Sequence, residues 1–301
     1  MKIRAGPDGI HLFSRSSGVN VLLDEASVPS IRWSVAPRQV SVALTNACDL
    51  RCRYCYAPKR RAQLNYEQLI EWLAQLDGAG CFGVGFGGGE PTLYREFRGL
   101  CETVAKTTRL AVTFTTHAHR LHEELAADLK GNVHFIRVSM DGIGSTYEAL
   151  RGRDFTALCK KLSLARSIAP FGINFVVNAT TFPDLDAAIA LAHDYDASEF
   201  LLLPERRTPA CSGIDETTRE QLRDWIATSR RSVRLAVSES DADGLPTCDP
   251  LTGEIGLRSY AHVDAFGKLR RSSFDSIGVA IGTNGILDAL TKLEAIAGEN
   301  Q

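Results

Sequence analysis

From residue 39 to residue 203 the chain alternates short, apolar, β-branched runs with longer amphipathic stretches, six times in succession. Strands are expected over 39–45, 82–86, 110–115, 133–139, 173–178 and 199–203. Helices are expected over 66–76, 96–106, 120–129, 155–168 and 185–192, with a sixth over 216–230. A strand separated from its successor by a helix needs a crossover connection, and serial crossovers build a parallel sheet clad in helices. The expected fold is therefore α/β, a partial (β/α)6 TIM-type barrel. Residues 10–23 read as two strands joined at Ser17-Gly18, so 1–38 is expected to form a short N-terminal hairpin and linker ahead of a core over 39–235. Residues 236–301 combine an irregular stretch, a hairpin around Ala265-Phe266-Gly267 and a helix over 286–297, a small C-terminal α+β appendage expected to cap the substrate.

With 301 residues, 44% of them hydrophobic, the chain can bury a large core. A formal net charge of -2 gives no field for non-specific nucleic-acid binding. No apolar run reaches membrane-spanning length, and the first residues lack the apolar stretch of a signal peptide. A cytoplasmic location is expected, with neither membrane nor nucleic acid as partner.

Eight cysteines in such a chain point to metal or thiol chemistry rather than to disulfides. Cys48, Cys52 and Cys55 form C-x3-C-x2-C in the loop after the first core strand. Chance would produce that spacing with a probability of only about 0.006. Three thiolates within eight residues suit a cubane iron–sulfur cluster that leaves one iron open. The alternative is a structural zinc site, which usually adds a second, distant ligand pair. Cys81, Cys101 and Cys159 lie in or beside elements and read as small buried apolar residues.

The loop Thr45-Asn46-Ala47-Cys48-Asp49-Leu50-Arg51-Cys52-Arg53-Tyr54-Cys55 resembles the signature loop of the radical S-adenosylmethionine superfamily, aromatic Tyr54 included. The resemblance implies one [4Fe–4S] cluster on Cys48, Cys52 and Cys55, with S-adenosylmethionine on the open iron. Gly88, Gly89 and Glu90 are similar to the family's Gly-Gly-Glu motif, which binds the methionine amino group. Ser139 and Arg151 fall where relatives contact the cofactor's ribose or carboxylate. Thr115-Thr116-His117 departs from the family's usual Thr-Asn-Gly. His117, His119 and His122 read as a solvated helix start.

The tail directs the finer expectation. Cys248 lies in a Pro/Gly-rich loop unsuited to a core, and Cys211 is the other cysteine beyond the barrel strands. Two thiols do not make a second cluster. A thiol can return a hydrogen to a carbon radical, and in this the chain resembles the radical S-adenosylmethionine epimerases of aminoglycosides, of the neomycin C to neomycin B type. Cys248 is the expected donor, with Cys211 second. Between Leu235 and Leu257 lie five acids and no Lys or Arg. Asp241, Asp243 and Asp249, with Glu205, are expected to bind a polycationic aminoglycoside. The resemblance also implies a one-electron reductant such as flavodoxin or ferredoxin. The alternatives are a dehydrogenase, a peptide-modifying enzyme of the same family, or a non-catalytic iron–sulfur or zinc module.

Overall fold

A computed structural model describes residues 1–228, 233–238, 241–242 and 244–298. Three strands open the chain as an antiparallel meander: β1 (Lys2–Gly6), β2 (Gly9–Phe13) and β3 (Asn20–Leu23). The sequence predicts the β2–β3 hairpin and misses β1. There Lys2 and Arg4 are buried while Ile3 is 65% exposed, the reverse of an apolar-inward alternation.

Strand and helix then alternate. In order come β4 (Gln39–Thr45), α1 (Tyr66–Gly78), β5 (Gly83–Gly88), α2 (Phe97–Thr107), β6 (Ala111–Thr116), α3 (Glu123–Leu129) and β7 (Phe135–Ser139). They are followed by α4 (Ser145–Arg151), α5 (Phe155–Ile168), β8 (Phe171–Val177), α6 (Leu185–Asp194), β9 (Glu199–Pro204), α7 (Glu216–Thr228) and β10 (Arg234–Val237). The last two residues expected in α7, 229 and 230, lie outside the described residues. Local chemistry starts the helices: Asn65 accepts from Gln68 N to open α1, and Asp154 accepts from Ala157 N at 2.6 Å to open α5.

Strands β4 to β10 lie parallel and in sequence order. The tail adds β11 (Tyr260–Val263), β12 (Lys268–Arg270), β13 (Val279–Ala280) and α8 (Ile286–Gly298). Strand β11 pairs parallel with the free edge of β4, and β12 and β13 continue antiparallel. The tail hairpin thus extends the main sheet. Among the described residues no pairing joins β10 to β13, so the sheet is an open, barrel-like wall. Val84, Phe86, Val112, Phe114, Ile136 and Val138 are at most 1% exposed and pack with the helices. Each such burial contributes about 1.5–3 kcal/mol. The alternate residues face the concave side.

The meander is fastened beneath this wall. Buried Arg4 donates to Ala36 O at 2.6 Å, Gly80 O at 3.2 Å and Arg258 O at 3.1 Å, and pairs with the buried Glu254. Arg38 adds a second cation to Glu254 at 3.3 Å. Among the described residues no helix is long and apolar enough to cross a membrane.

Candidate active site

Strand β4 delivers the chain into the cysteine loop at the C-terminal edge of the sheet, where barrels of this kind collect their chemistry. Cys48, Cys52 and Cys55 are free and half-buried. The Thr45 hydroxyl donates to Ala62 O at 3.2 Å and accepts from Ala47 N at 3.1 Å, which fixes the start of the loop. A turn with Cys55 N donating to Cys52 O at 3.3 Å draws the second and third cysteines together. Burial pushes the Cys48 thiol up, and the Leu50 N–H, 3.4 Å from its sulfur, opposes that.

The glycine-rich end of β5 is stitched to this loop. Gly89 N donates to Thr45 O at 2.7 Å and Glu90 N to Ala47 O at 2.8 Å. A Cβ on Gly89 would stand 2.1 Å from Ala47 O, and one on Gly88, at φ +104°, would stand 2.5 Å from Thr45 O. Only glycine permits that approach. Both glycines therefore serve contact with the cysteine loop. Open space begins at Gly87, where a Cβ would meet nothing within 4 Å.

Glu90, expected to meet the cofactor's ammonium, follows these glycines. It is 1% exposed and accepts from Thr92 N, Thr92 Oγ1, Thr116 Oγ1 and His117 N at 2.7–3.3 Å. Three of these donors meet Oε1 and one meets Oε2. His117 is no solvated helix start: it is 4% exposed, with Nε2 at 2.8 Å from Asp49 Oδ1 and 3.3 Å from Glu90 Oε2. Of the three histidines, His122 does open a helix, accepting from Leu125 N at 3.3 Å. His119 Nε2 lies 2.7 Å from the Tyr147 hydroxyl.

A second cluster faces the loop from β7 and α4. Tyr54 donates to Asp141 Oδ2 at 2.6 Å, Val176 N donates to Asp141 Oδ1 at 2.7 Å, and Arg151 ion-pairs with the same carboxylate. Arg151 Nη1 also points at the Cys52 sulfur, 3.6 Å away, and its guanidinium lies 5.7 Å from the Tyr54 ring centre. Asp141, missed as a site residue in the sequence, is the hub. Burial and the Asp141 charge push the Tyr54 phenol up, so it remains a donor.

Two buried polar atoms here lack partners: Arg151 Nε and Asn174 Oδ1. Asn174 pairs in register with half-buried Ser139, and its neighbours Ile173 and Phe175 occupy the core, so Asn174 faces the concave side. A donor and an acceptor left over at the mouth of the wall fit a polar group bound between them.

The other predicted residues separate. Cys211 is half-buried in the loop after β9, in a turn where Thr208 N donates to Cys211 O at 2.9 Å. Arg53 of the cysteine loop donates to the neighbouring Ala210 O at 3.3 Å. Cys248 is exposed. Cys81 and Cys101 are buried, and burial pushes the Cys81 thiol up to about 11. The acidic stretch does not converge: Asp241 is held by Arg206 at 2.5 Å and by Ser238, and Asp249 accepts from Leu251 N at 2.9 Å. Glu254 is buried against Arg4 and Arg38. Asp243 and Glu239 lie outside the described residues. Glu205, at the end of β9, is met by the Asn178 amide at 3.4 Å.

Residues 42–188 match the family model described as the radical SAM superfamily. This part of the chain is a radical SAM domain. The mycofactocin maturase MftC of Mycolicibacterium smegmatis is 29% identical over 234 residues, covering 72% of this chain and 59% of the maturase. The sporulation killing factor maturation protein SkfB of Bacillus subtilis is 32% identical over 125 residues, 40% of this chain and 30% of that protein. The chain thus spans between 30% and 59% of the length of these relatives. Streptococcus suis SuiB bound to its precursor peptide SuiA shares the fold with a TM-score of 0.74 at 14% identity, over 96% of this chain and 86% of SuiB.

Radical SAM proteins use a [4Fe–4S] cluster and S-adenosylmethionine. Three half-buried thiols on one short loop, the orphaned Arg151 Nε and Asn174 Oδ1, and the room beside Gly87 fit both groups.

Proposed function

We propose that this radical SAM enzyme is an epimerase that inverts a sugar carbon of an amino-bearing carbohydrate of the aminoglycoside type. Cys48, Cys52 and Cys55 would hold the cluster, and Tyr54, Ser139, Asn174 and Arg151 would contact the S-adenosylmethionine. Held there and given one electron by the reductant, the two groups would supply the radical chemistry that takes a hydrogen atom from a substrate carbon. A thiol then gives a hydrogen atom to the opposite face, leaving a thiyl radical that a one-electron reductant and a solvent proton restore. The observation that carries this reading is a thiol at the mouth: Cys211 sits in a turn tied to the cysteine loop through Arg53 and Ala210. Cys248, the donor expected from the sequence, is exposed on a later loop. Glu205, at the same edge and met by the Asn178 amide among the described residues, supports an ammonium-bearing substrate.

A second reading, peptide modification, is favoured by the printed names of the maturases MftC and SkfB and of peptide-bound SuiB. Anaerobic turnover of the reconstituted chain with neomycin C in D2O separates the two. Epimerisation gives an unchanged formula with one deuterium gained, and Cys211→Ala or Cys248→Ala abolishes the label. Formation of 5'-deoxyadenosine with an unlabelled aminoglycoside would sink the carbohydrate reading. A mass change in a peptide instead would establish the second.

A further inference from the structure

Beside the cysteine loop, among the loops at the C-terminal edge of the sheet, lies a cleft of about 570 Å³. Arg95 and Arg98 come from the segment between β5 and α2 and from α2 itself, Arg120 from the loop after β6, and Arg153 from beyond α4. Among the residues lining it, Asp49 alone is an acid. Four guanidinium groups against one carboxylate leave a concentrated positive field, and a concave wall focuses it. His119, also in the lining, adds no charge near neutral pH, because burial with His117 and Arg153 pushes it down to about 4.

The floor of the cleft reaches a cluster-holding cysteine. Arg153 Nη2 donates to both Asp49 O and Asp49 Oδ2 at 3.3 Å, and Arg120 lies 3.9 Å from the same carboxylate. Asp49 in turn lies, with His117, within 4.8 Å of the Cys48 sulfur. The cationic surface is therefore one residue from the first thiol of the triplet. Phe97 and Arg98 come from the first turn of α2, and the other cations come from loops at the C-terminal edge of the sheet.

We infer that this cleft is the docking surface for an acidic one-electron carrier protein, which reduces the cluster across Asp49 and Cys48. The inference rests on the reading of Cys48, Cys52 and Cys55 as cluster ligands. An acidic carrier fits better than an acidic substrate peptide because the cationic wall reaches the Cys48 sulfur through Asp49. Arg98 faces Glu124 and Asp128 at 2.9 and 2.7 Å on the outer rim, so its contribution is partly offset. Arg95 is exposed and carries the least-compensated charge.

The test uses the reconstituted full chain and follows bleaching of its visible cluster band under two reductants: reduced acidic flavodoxin, and photoreduced 5-deazaflavin as a small uncharged comparison. Arg95→Glu combined with Arg98→Gln is expected to slow flavodoxin-driven bleaching on the order of tenfold at low salt and to flatten its salt dependence. The deazaflavin-driven rate should stay at the wild-type value. Arg95→Gln, at an exposed side chain, should give a smaller loss in the same direction. Flavodoxin rates within about twofold of wild type in both variants would overturn the docking surface. So would an equal loss with both reductants in Arg95→Gln, displacement of flavodoxin by an acidic peptide, or full competition by millimolar inorganic phosphate. A chain without a visible band before reduction fails the cluster reading instead. Anisotropy of labelled flavodoxin on that iron-free chain must still weaken in the variants, or the surface fails too.

Discussion

Arg151 links the buried carboxylate of Asp141 to the loop by directing Nη1 at the Cys52 sulfur, 3.6 Å away. One guanidinium thereby senses both the second cysteine and the end of strand β7. Replacing Asp141 by Asn leaves that cation without its counter-ion in a buried setting. A loss of about 3–5 kcal/mol in unfolding free energy is expected, measured by urea titration, because a broken buried pair strands a charge. Arg151→Gln should instead keep iron content while weakening S-adenosylmethionine binding about tenfold or more, read by equilibrium dialysis.

Gly89→Ala tests the seam between β5 and the cysteine loop. Its Cβ would sit 2.1 Å from Ala47 O, a backbone atom that cannot swing aside. The cost should exceed the roughly 1–3 kcal/mol of ordinary overpacking. Iron per chain after reconstitution is expected to fall well below that of wild type. Gly87→Ala, which meets open space, should load iron normally.

The Arg4–Glu254 pair makes the meander depend on the tail. Glu254→Ala is expected to destabilise by about 3–5 kcal/mol, while Arg4→Met with Glu254→Met recovers most of it. Denaturant midpoints of the two variants decide this.

His262 sets an acid limit. It is 4% exposed, its Nδ1 lies 2.6 Å from Ser41 Oγ, and burial pushes it down to about 4. The unfolded chain keeps a histidine near 6.5, so it binds the extra proton between those values. Stability from this group is present above about pH 6.5 and is lost as pH falls toward 4, by up to about 3 kcal/mol. Unfolding titrations near pH 7 and near pH 5 should differ less in His262→Gln.

The alternation that builds β4 to β9 was legible because each strand's apolar alternates, such as Val84 with Phe86, mark one period and each helix another. The cysteine triplet was legible because its chemistry is local. Asp141 was not, since its partners Tyr54 and Arg151 come from other elements and no local pattern announces a hub. The acidic stretch misled for a related reason. Charges that are neighbours in a loop turn to different partners, here Arg4, Arg206 and the Leu251 N–H. His117 looked like surface because the Asp49 and Glu90 that enclose it lie far back in the chain.

Strand β11 pairs in register with β4, Tyr260 against Gln39 and His262 against Ser41. The strand that feeds the cysteine loop therefore gains its second neighbour only from a strand more than 200 residues later in the chain. Contacts of such long sequence separation form late and slowly. Until they do, one edge of β4 offers unpaired backbone groups to other chains, so premature termination anywhere before residue 260 would leave an aggregation-prone fragment.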